Sequence, residues 1–259
     1  MDKDKIVILP LGSCEQHGPH MPLLTDTLIV TALAEAVEQE MADDVLLLPS
    51  LWTGMSDHHL QLAGTVTLNP ELYTRTLVRT LATIADHGFR KIFLLNGHGG
   101  NQVPATQALV ELYSQGYERR DLWIGMSSYW LVGKPTIDRL AADGMGGIRM
   151  ESPMLTHACE WEYSLGLHLF PDLCRPDQVK AIPTEFKTAY YDVDLSIHRI
   201  SLSTPFTAFI PTGAANRPEL ATTQKGEALY TGLFSDLVEF FDAMKSWKTH
   251  PSNEDMGVY

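Results

Sequence analysis

The chain has 259 residues, 44% of them apolar and 20% charged, so a sizeable core is expected and extensive disorder is not. Its formal charge of −13 argues against a nucleic-acid partner, because phosphate binding needs a basic face. Three cysteines, no signal-like leader and no apolar run of ~18 residues indicate a cytoplasmic protein without disulfides that spans no membrane.

Short apolar runs bounded by turn residues predict the strands. The first, IVILPL, leads directly into a polar loop, and a later one, KIFLL, ends in the glycine-rich run NGHGGN. The predicted strands are residues 6–11, 45–48, 65–68, 91–95 and 122–126, with a further β element within 187–210.

Apolar residues at helical spacing predict the helices. The second helix has the clearest start, with Asn69 as N-cap, Pro70 at the first position and Glu71 in the first turn, and Gly88 ends it. Asn101 is placed to cap the next helix. The predicted helices are residues 25–41, 70–87, 102–115, 155–170 and 221–247; residues 131–152 are predicted as loop and 251–259 as a C-terminal tail.

This alternation of strands and helices predicts an α/β fold, a mostly parallel sheet flanked by helices on both faces, in one domain over residues 1–250. Sites in such folds lie beyond the carboxyl ends of the strands. Two polar loops, 12–26 and 96–101, follow predicted strands, and we therefore expect them to meet at that edge.

The first loop carries candidate metal ligands. Glu15 and His17 are two residues apart and point to the same side of an extended segment, and Asp26 lies at the start of the next helix. Carboxylate and imidazole ligands together suit Zn²⁺, Mn²⁺ or Fe²⁺, and an aspartate can bridge two such ions. The pattern E-x-H alone is equally compatible with surface or capping carboxylates and an ordinary loop histidine.

The second loop places His98 among three glycines, which allow close backbone approach. It lacks the lysine and hydroxyl residue of a phosphate loop, so a ligand role for His98 is favoured over a plain turn.

A third cluster, HACEWE, contains His157, Glu160 and Glu162. If it is helical, His157 and Glu160 share a face; if it is extended, the two glutamates do. Helical periodicity favours Glu160 as a further ligand.

Residues near these loops are candidates for contacting a substrate. His58 and His59 lie in a loop and can line a pocket, whereas most other histidines read as capping or core residues. Trp130 and Trp161 fall near the loops of interest, although tryptophan more often belongs to the core. We predict His59, Trp130 and Trp161 as substrate-binding residues.

Three ordered motifs resemble the signatures of the creatininase (creatinine amidohydrolase) family: residues 10–23 with Asp26, the run NGHGGN at 96–101, and HACEWE at 157–162. The resemblance implies a three-layer α/β fold, two divalent metal ions per subunit, hydrolysis of a carbon–nitrogen bond in a cyclic or small amide, and a homo-oligomer, often a hexamer. It matches His157 to a catalytic histidine and Glu162 to a recurring acidic position without a fixed role, and we predict both as catalytic residues. It implies as metal ligands Glu15, His17, Asp26 (the bridge) and His98.

One position departs from the pattern. Creatininase itself has a glutamate two residues after the histidine of the second motif, where this chain has Gly100. The resemblance suggests that Glu160 supplies the missing ligand, as in the branch with the Gly-Gly form. That branch includes peptidase-like, deformylase and sugar-ring hydrolase members, so the reaction class is better defined than the substrate.

The expected function is therefore hydrolysis of a small molecule by a metal-activated water. Two rivals use the same chemistry, namely carbon–carbon cleavage of a cyclic ketone and removal of a peptide's terminal residue. A third rival, from another class, is a non-catalytic metal-binding scaffold, and the full set of candidate ligands argues against it.

Overall fold

A computed structural model describes residues 3–117, 122–180, 187–192, 197–204 and 206–247, without the side chains of 197 and 198. Its main sheet has four parallel strands in the order β2-β1-β3-β4. In chain order they are β1 (Ile6–Leu11), β2 (Val45–Leu47), β3 (Lys91–Asn96) and β4 (Trp123–Ser128).

The helices are α1 (Thr25–Glu40), α2 (Pro70–Asp86), α3 (Gln102–Leu112), α4 (Tyr129–Val132), α5 (Lys134–Ala142), α6 (Glu160–Leu169) and α7 (Thr223–Lys245).

Side chains on alternate faces of β1 enter two separate cores. Ile6 and Ile8 pack in a cluster with residues of α1, α6 and α7, whereas Val7, Leu9 and Leu11 pack with residues of α2 and α3. Helices thus cover both faces of the parallel sheet, which confirms the predicted α/β class and its three layers.

Two predicted elements are wrong, and a third begins later than predicted. Residues 65–68 form no strand and make only isolated bridges, because Val66 pairs with Cys14 and Thr67 with Gly54. The predicted loop 131–152 contains α5 and the second half of α4, and the helix predicted over 155–170 begins only at Glu160. The β element expected within 187–210 is a short antiparallel pair, β5 (Tyr191–Asp192) with β6 (Ile197–His198).

The predicted side-chain N-cap is present at the start of α2 and absent at the start of α3. The side chain of Asn69 accepts a hydrogen bond from the Leu72 amide at 2.8 Å, as predicted for an N-cap. The side chain of Asn101 makes no capping bond, because it is used to join other loops. No helix in the described ranges is long and apolar enough to cross a membrane. The predicted tail, 251–259, lies outside the described residues.

Candidate metal centre

The pairing of β1 with β3 brings the polar loops together. The two strands are parallel neighbours in a register that sets Leu11 beside Asn96, so both chains leave the sheet at the same edge. Glu15 and His17 follow β1, His98 follows β3, and Asp26 lies in the first turn of α1. All four are buried, with at most 4% of the side chain exposed. The expectation that these loops meet is confirmed.

Asn101 holds the loops in place. Its Nδ2 donates to the Gly12 carbonyl at 3.0 Å and to Asn96 Oδ1 at 3.2 Å, while its Oδ1 accepts from the Met55 amide at 3.0 Å. One buried side chain therefore ties the loops after β1 and β3 to a third loop. This replaces the capping role that we predicted for it.

Three histidines each place one ring nitrogen against a backbone carbonyl. A carbonyl only accepts, so that nitrogen carries the proton of a neutral ring and the other nitrogen presents a lone pair. The pairs are His17 Nδ1 with the Glu15 carbonyl at 3.2 Å, His98 Nε2 with the Met55 carbonyl at 3.1 Å, and His157 Nε2 with the Gln16 carbonyl at 2.8 Å.

The second nitrogen of each of these rings faces a carboxylate. His17 Nε2 lies 3.0 Å from Asp26 Oδ1, and His98 Nδ1 lies 3.0 Å from Asp26 Oδ2 and 3.2 Å from Glu15 Oε1. His157 Nδ1 lies 3.4 Å from the same Glu15 oxygen. A lone pair on nitrogen repels a carboxylate oxygen unless a cation, either a proton or a metal ion, lies between them.

This donor set fits a divalent metal. Glu15 Oε2, His17 Nε2 and Asp26 Oδ2 are buried without a hydrogen-bond partner in the described part of the chain. Buried polar atoms of this kind normally have partners, and imidazole and carboxylate are the common ligands of Zn²⁺ and Mn²⁺. Three groups have ligand atoms within 4.8 Å of one another: Glu15–His17–His157, Glu15–His58–His98 and His17–Asp26–Glu162.

The third motif supplies Glu162 to this centre and not Glu160. Glu162 Oε2 lies 3.8 Å from His17 Nε2 and accepts from the Ala158 amide at 2.5 Å. Glu160 is fully occupied elsewhere, because its oxygens accept from two backbone amides and from the Lys225 ammonium at 2.5 Å. The ligand role predicted for Glu160 is therefore corrected.

The reason lies in the local backbone. The helix begins at Glu160, so His157 is not on it and the assumed helical spacing from His157 does not apply. Ala158 has a left-handed φ of 47°, which turns the chain between the histidine and the helix. Glu162, in the first turn of α6, is thereby brought to the same centre as His157.

The predicted substrate-binding residues divide between site and core. His59 is in the centre, with Nε2 3.8 Å from Glu15 Oε2 and its ring 4.5 Å from that of His157. Trp161 is fully buried in the core, and its Nε1 donates to the Ser152 carbonyl. Trp130 packs beside Tyr129 against the same core. Both tryptophans are thus assigned to packing, which corrects their prediction as substrate-binding residues.

Two further aromatic rings complete the centre. His58 stacks on His98 with 5.6 Å between ring centroids and an interplanar angle of 10°. The ring centroid of Phe206 lies 4.2 Å from that of His59 and 5.4 Å from that of His157. The paired histidines in the loop signalled the first of these residues. No sequence signal pointed to Phe206, which lies far along the chain in a segment without a motif.

Charges in the centre shift the pKa values of its members. Burial lowers the pKa of His17, but Asp26 and Glu162 outweigh it and raise that pKa to about 10. Burial and the charge of Asp26 raise the pKa of Glu162 to about 8, against the opposing effect of His17. Burial, with the adjacent His17 and His59, holds the pKa of His157 well below its usual range.

Comparisons with known families agree with these motifs. The creatininase family, described as creatinine amidohydrolase, matches residues 1–241 of this chain. A solved mutant creatininase of "Zn-Zn type" superposes with a TM-score of 0.75 at 26% identity, covering 94% of this chain and 92% of that one. A structure named "Creatininase Mn" gives 0.72 at 27% identity, with the same coverage.

Curated relatives have several different activities. A mycofactocin precursor peptide peptidase of Mycobacterium tuberculosis is 40% identical over 118 residues, 42% of this chain and 47% of that protein. A 3-dehydro-scyllo-inosose hydrolase of Thermotoga maritima is 33% identical over 70% of this chain and 55% of its own length. The creatinine amidohydrolase of Pseudomonas putida is 32% identical over 68% of each chain.

The raised pKa values predict that metal binding releases protons. In the metal-free protein at pH 7, His17 and Glu162 hold protons, and both must lose them to bind an ion. The apparent affinity for Mn²⁺ should therefore rise from pH 6 to pH 8, by about tenfold per pH unit for each proton displaced. Calorimetric titration in buffers of different ionisation enthalpy measures the protons released, and binding without proton release would contradict the prediction.

Proposed function

This chain belongs to the creatininase family of amidohydrolase-type enzymes, and on that basis we propose that it hydrolyses a carbon–nitrogen bond of a small amide at a centre of two divalent metal ions. The observation that carries the proposal is the set of three imidazoles, those of His17, His98 and His157, whose protonated nitrogens are held by backbone carbonyls. Their free nitrogens converge on carboxylates that have unpartnered oxygens.

The geometry supports five metal ligands, with the carboxylate of Asp26 placed between the other four. Asp26 has one oxygen 3.0 Å from His17 and the other 3.0 Å from His98, so it can contact both ions. Glu15 lies on the His98 side and Glu162 on the His17 side. When bound, divalent ions polarise a carbonyl and lower the pKa of water, which makes hydrolysis feasible at neutral pH.

We assign the proton transfer to His157. Its Nε2–H is engaged by the Gln16 carbonyl, so Nδ1 is the nitrogen that can accept or deliver a proton. Its side chain is 14% exposed, against 0% for His17 and 4% for His98, and is thus more accessible to a substrate. A low pKa keeps the ring neutral until it takes a proton.

Aromatic rings pack against the proposed proton-transfer group. The rings of Phe206 and His59 both contact that of His157. Apolar rings at this position favour a small, flat substrate over a bulky one.

The three cysteines are free and buried, in keeping with a cytoplasmic location, and the exposed apolar residues Val103, Val110 and Tyr113 are compatible with a homo-oligomer.

A substrate panel tests the proposal. Metal-free protein should be inactive, and Mn²⁺ or Zn²⁺ should restore hydrolysis of cyclic or small amides, followed as release of amine. Cyclic ketones and short peptides belong in the panel, because relatives with those activities are 33% and 40% identical over their aligned stretches. Less than one equivalent of bound metal, with no activation by added ions, would instead support the scaffold function.

A matched pair of variants tests the assignment of the fifth ligand. Glu162→Gln should weaken binding of one ion at least ~10-fold, because it removes a charged ligand. Glu160→Gln should leave both ions bound but lower the free energy of unfolding by about 1–3 kcal/mol, because Lys225 loses a buried charged partner. Elemental analysis and thermal unfolding of both proteins measure these effects. The opposite pattern would restore Glu160 as the ligand.

His157→Ala tests the catalytic histidine. Turnover should fall by about 10²–10⁴, the usual contribution of a general acid or base, while both ions remain bound. The measurements are kcat on the best substrate of the panel and metal content after dialysis. Loss of an ion from this variant would make His157 a ligand and not the group that transfers the proton.

A further inference from the structure

The imidazole ring of His58 lies beside the metal centre and makes no hydrogen bond to the described residues. It lies in the short helical turn Asp57–His59 and is half-buried. Its ring is held by packing, in a parallel stack on His98 and edge-on to Phe206 at 5.6 Å. Neither ring nitrogen has a hydrogen-bond partner among the residues that the structure describes. Its orientation is thus fixed while its nitrogens are free.

That free ring lies within reach of two of the proposed ligands. The ligand atoms of Glu15, His58 and His98 are all within 4.8 Å of one another. Ligands on opposite sides of one ion are separated by about 4.2 Å, because each bond is about 2.1 Å long. The unpartnered Glu15 Oε2 is a second, independent sign that a cation belongs here.

We infer that His58 is a further metal ligand, which completes a four-member set with Glu15, His98 and Asp26 around one ion. This rests on the proposed function, since it assumes that the centre holds metal. The consequence is that the two ions are unequal. Glu15, Asp26, His58 and His98 would hold the first ion with four protein ligands, whereas His17, Asp26 and Glu162 would hold the second with three.

Gly100 makes room for the ring. A Cβ at that position would lie 2.9 Å from His58 Cε1 and would also meet the Met55 carbonyl and the His98 ring. Because any side chain at residue 100 would displace these groups, His58 can stack on His98 only where that residue is glycine. The glycine is therefore part of the geometry that brings His58 toward Glu15.

Metal titration of His58→Phe tests the inference. Phenylalanine keeps the stack on His98 but has no ligand atom, so a purely packing role would be preserved. Metal-free wild type should take up two equivalents of Co²⁺, followed by its visible absorption and by elemental analysis. His58→Phe should bind one of them at least ~10-fold more weakly and keep the other. His168→Phe is the control, because His168 contacts Tyr230 away from the centre.

The outcomes separate the inference from the proposed function. Two equivalents in His58→Phe with wild-type affinities would overturn the ligand role of His58 and leave the proposed function standing. Less than one equivalent in wild type would overturn the proposed function itself. Should His58→Phe fail to fold, which circular dichroism shows, the same titration of His58→Ala decides between the first two outcomes.

Discussion

Three carboxylates, those of Glu15, Asp26 and Glu162, are buried side by side at the carboxyl edge of the sheet. Removing each from water costs several kcal/mol, and their mutual repulsion adds to that cost. The adjacent rings of His17 and His98 can reduce it only by holding protons or by sharing cations with the carboxylates. Their raised pKa values are what this constraint requires when no other cation is present. A site with this demand for positive charge is, chemically, a site for divalent metal.

The fold meets the constraint with few elements. Parallel pairing of β1 with β3 sets the two ligand-bearing loops at one edge, and the start of α1 presents Asp26 to both. Backbone carbonyls then fix which nitrogen of each ring is protonated, so the ligand lone pairs are directed before any ion arrives. Asn101 joins the loops by hydrogen bonds from both ends of its amide group. Preorganisation therefore depends mainly on backbone positions, which the sheet makes rigid.

The sequence predicts the residues that follow strand ends and does not predict those that reach the centre through tertiary packing. Strand-end loops are readable from short-range patterns, and so Glu15 and His98 were predicted at one edge. The choice between Glu160 and Glu162 depended on where a helix begins and on the left-handed Ala158, which no periodicity reveals. Phe206 reaches the centre through tertiary packing from a segment of irregular structure. Such contacts carry no local pattern, and a single sequence therefore does not contain a signal for them.

The irregular segments also separate chemistry from specificity. The turn Asp57–His59 and the turn Phe206–Ala208 contact each other, and Thr207 donates a hydrogen bond to Gln61. Neither belongs to the sheet, so side chains of these turns other than His58, the inferred ligand, can change without disturbing the strands that position the remaining ligands. Relatives of this chain are named for peptide, inosose and creatinine hydrolysis. The rings of His59 and Phe206 lie against His157, the proposed proton-transfer group, and this contact is the reason for placing the choice of substrate there in the proposed function.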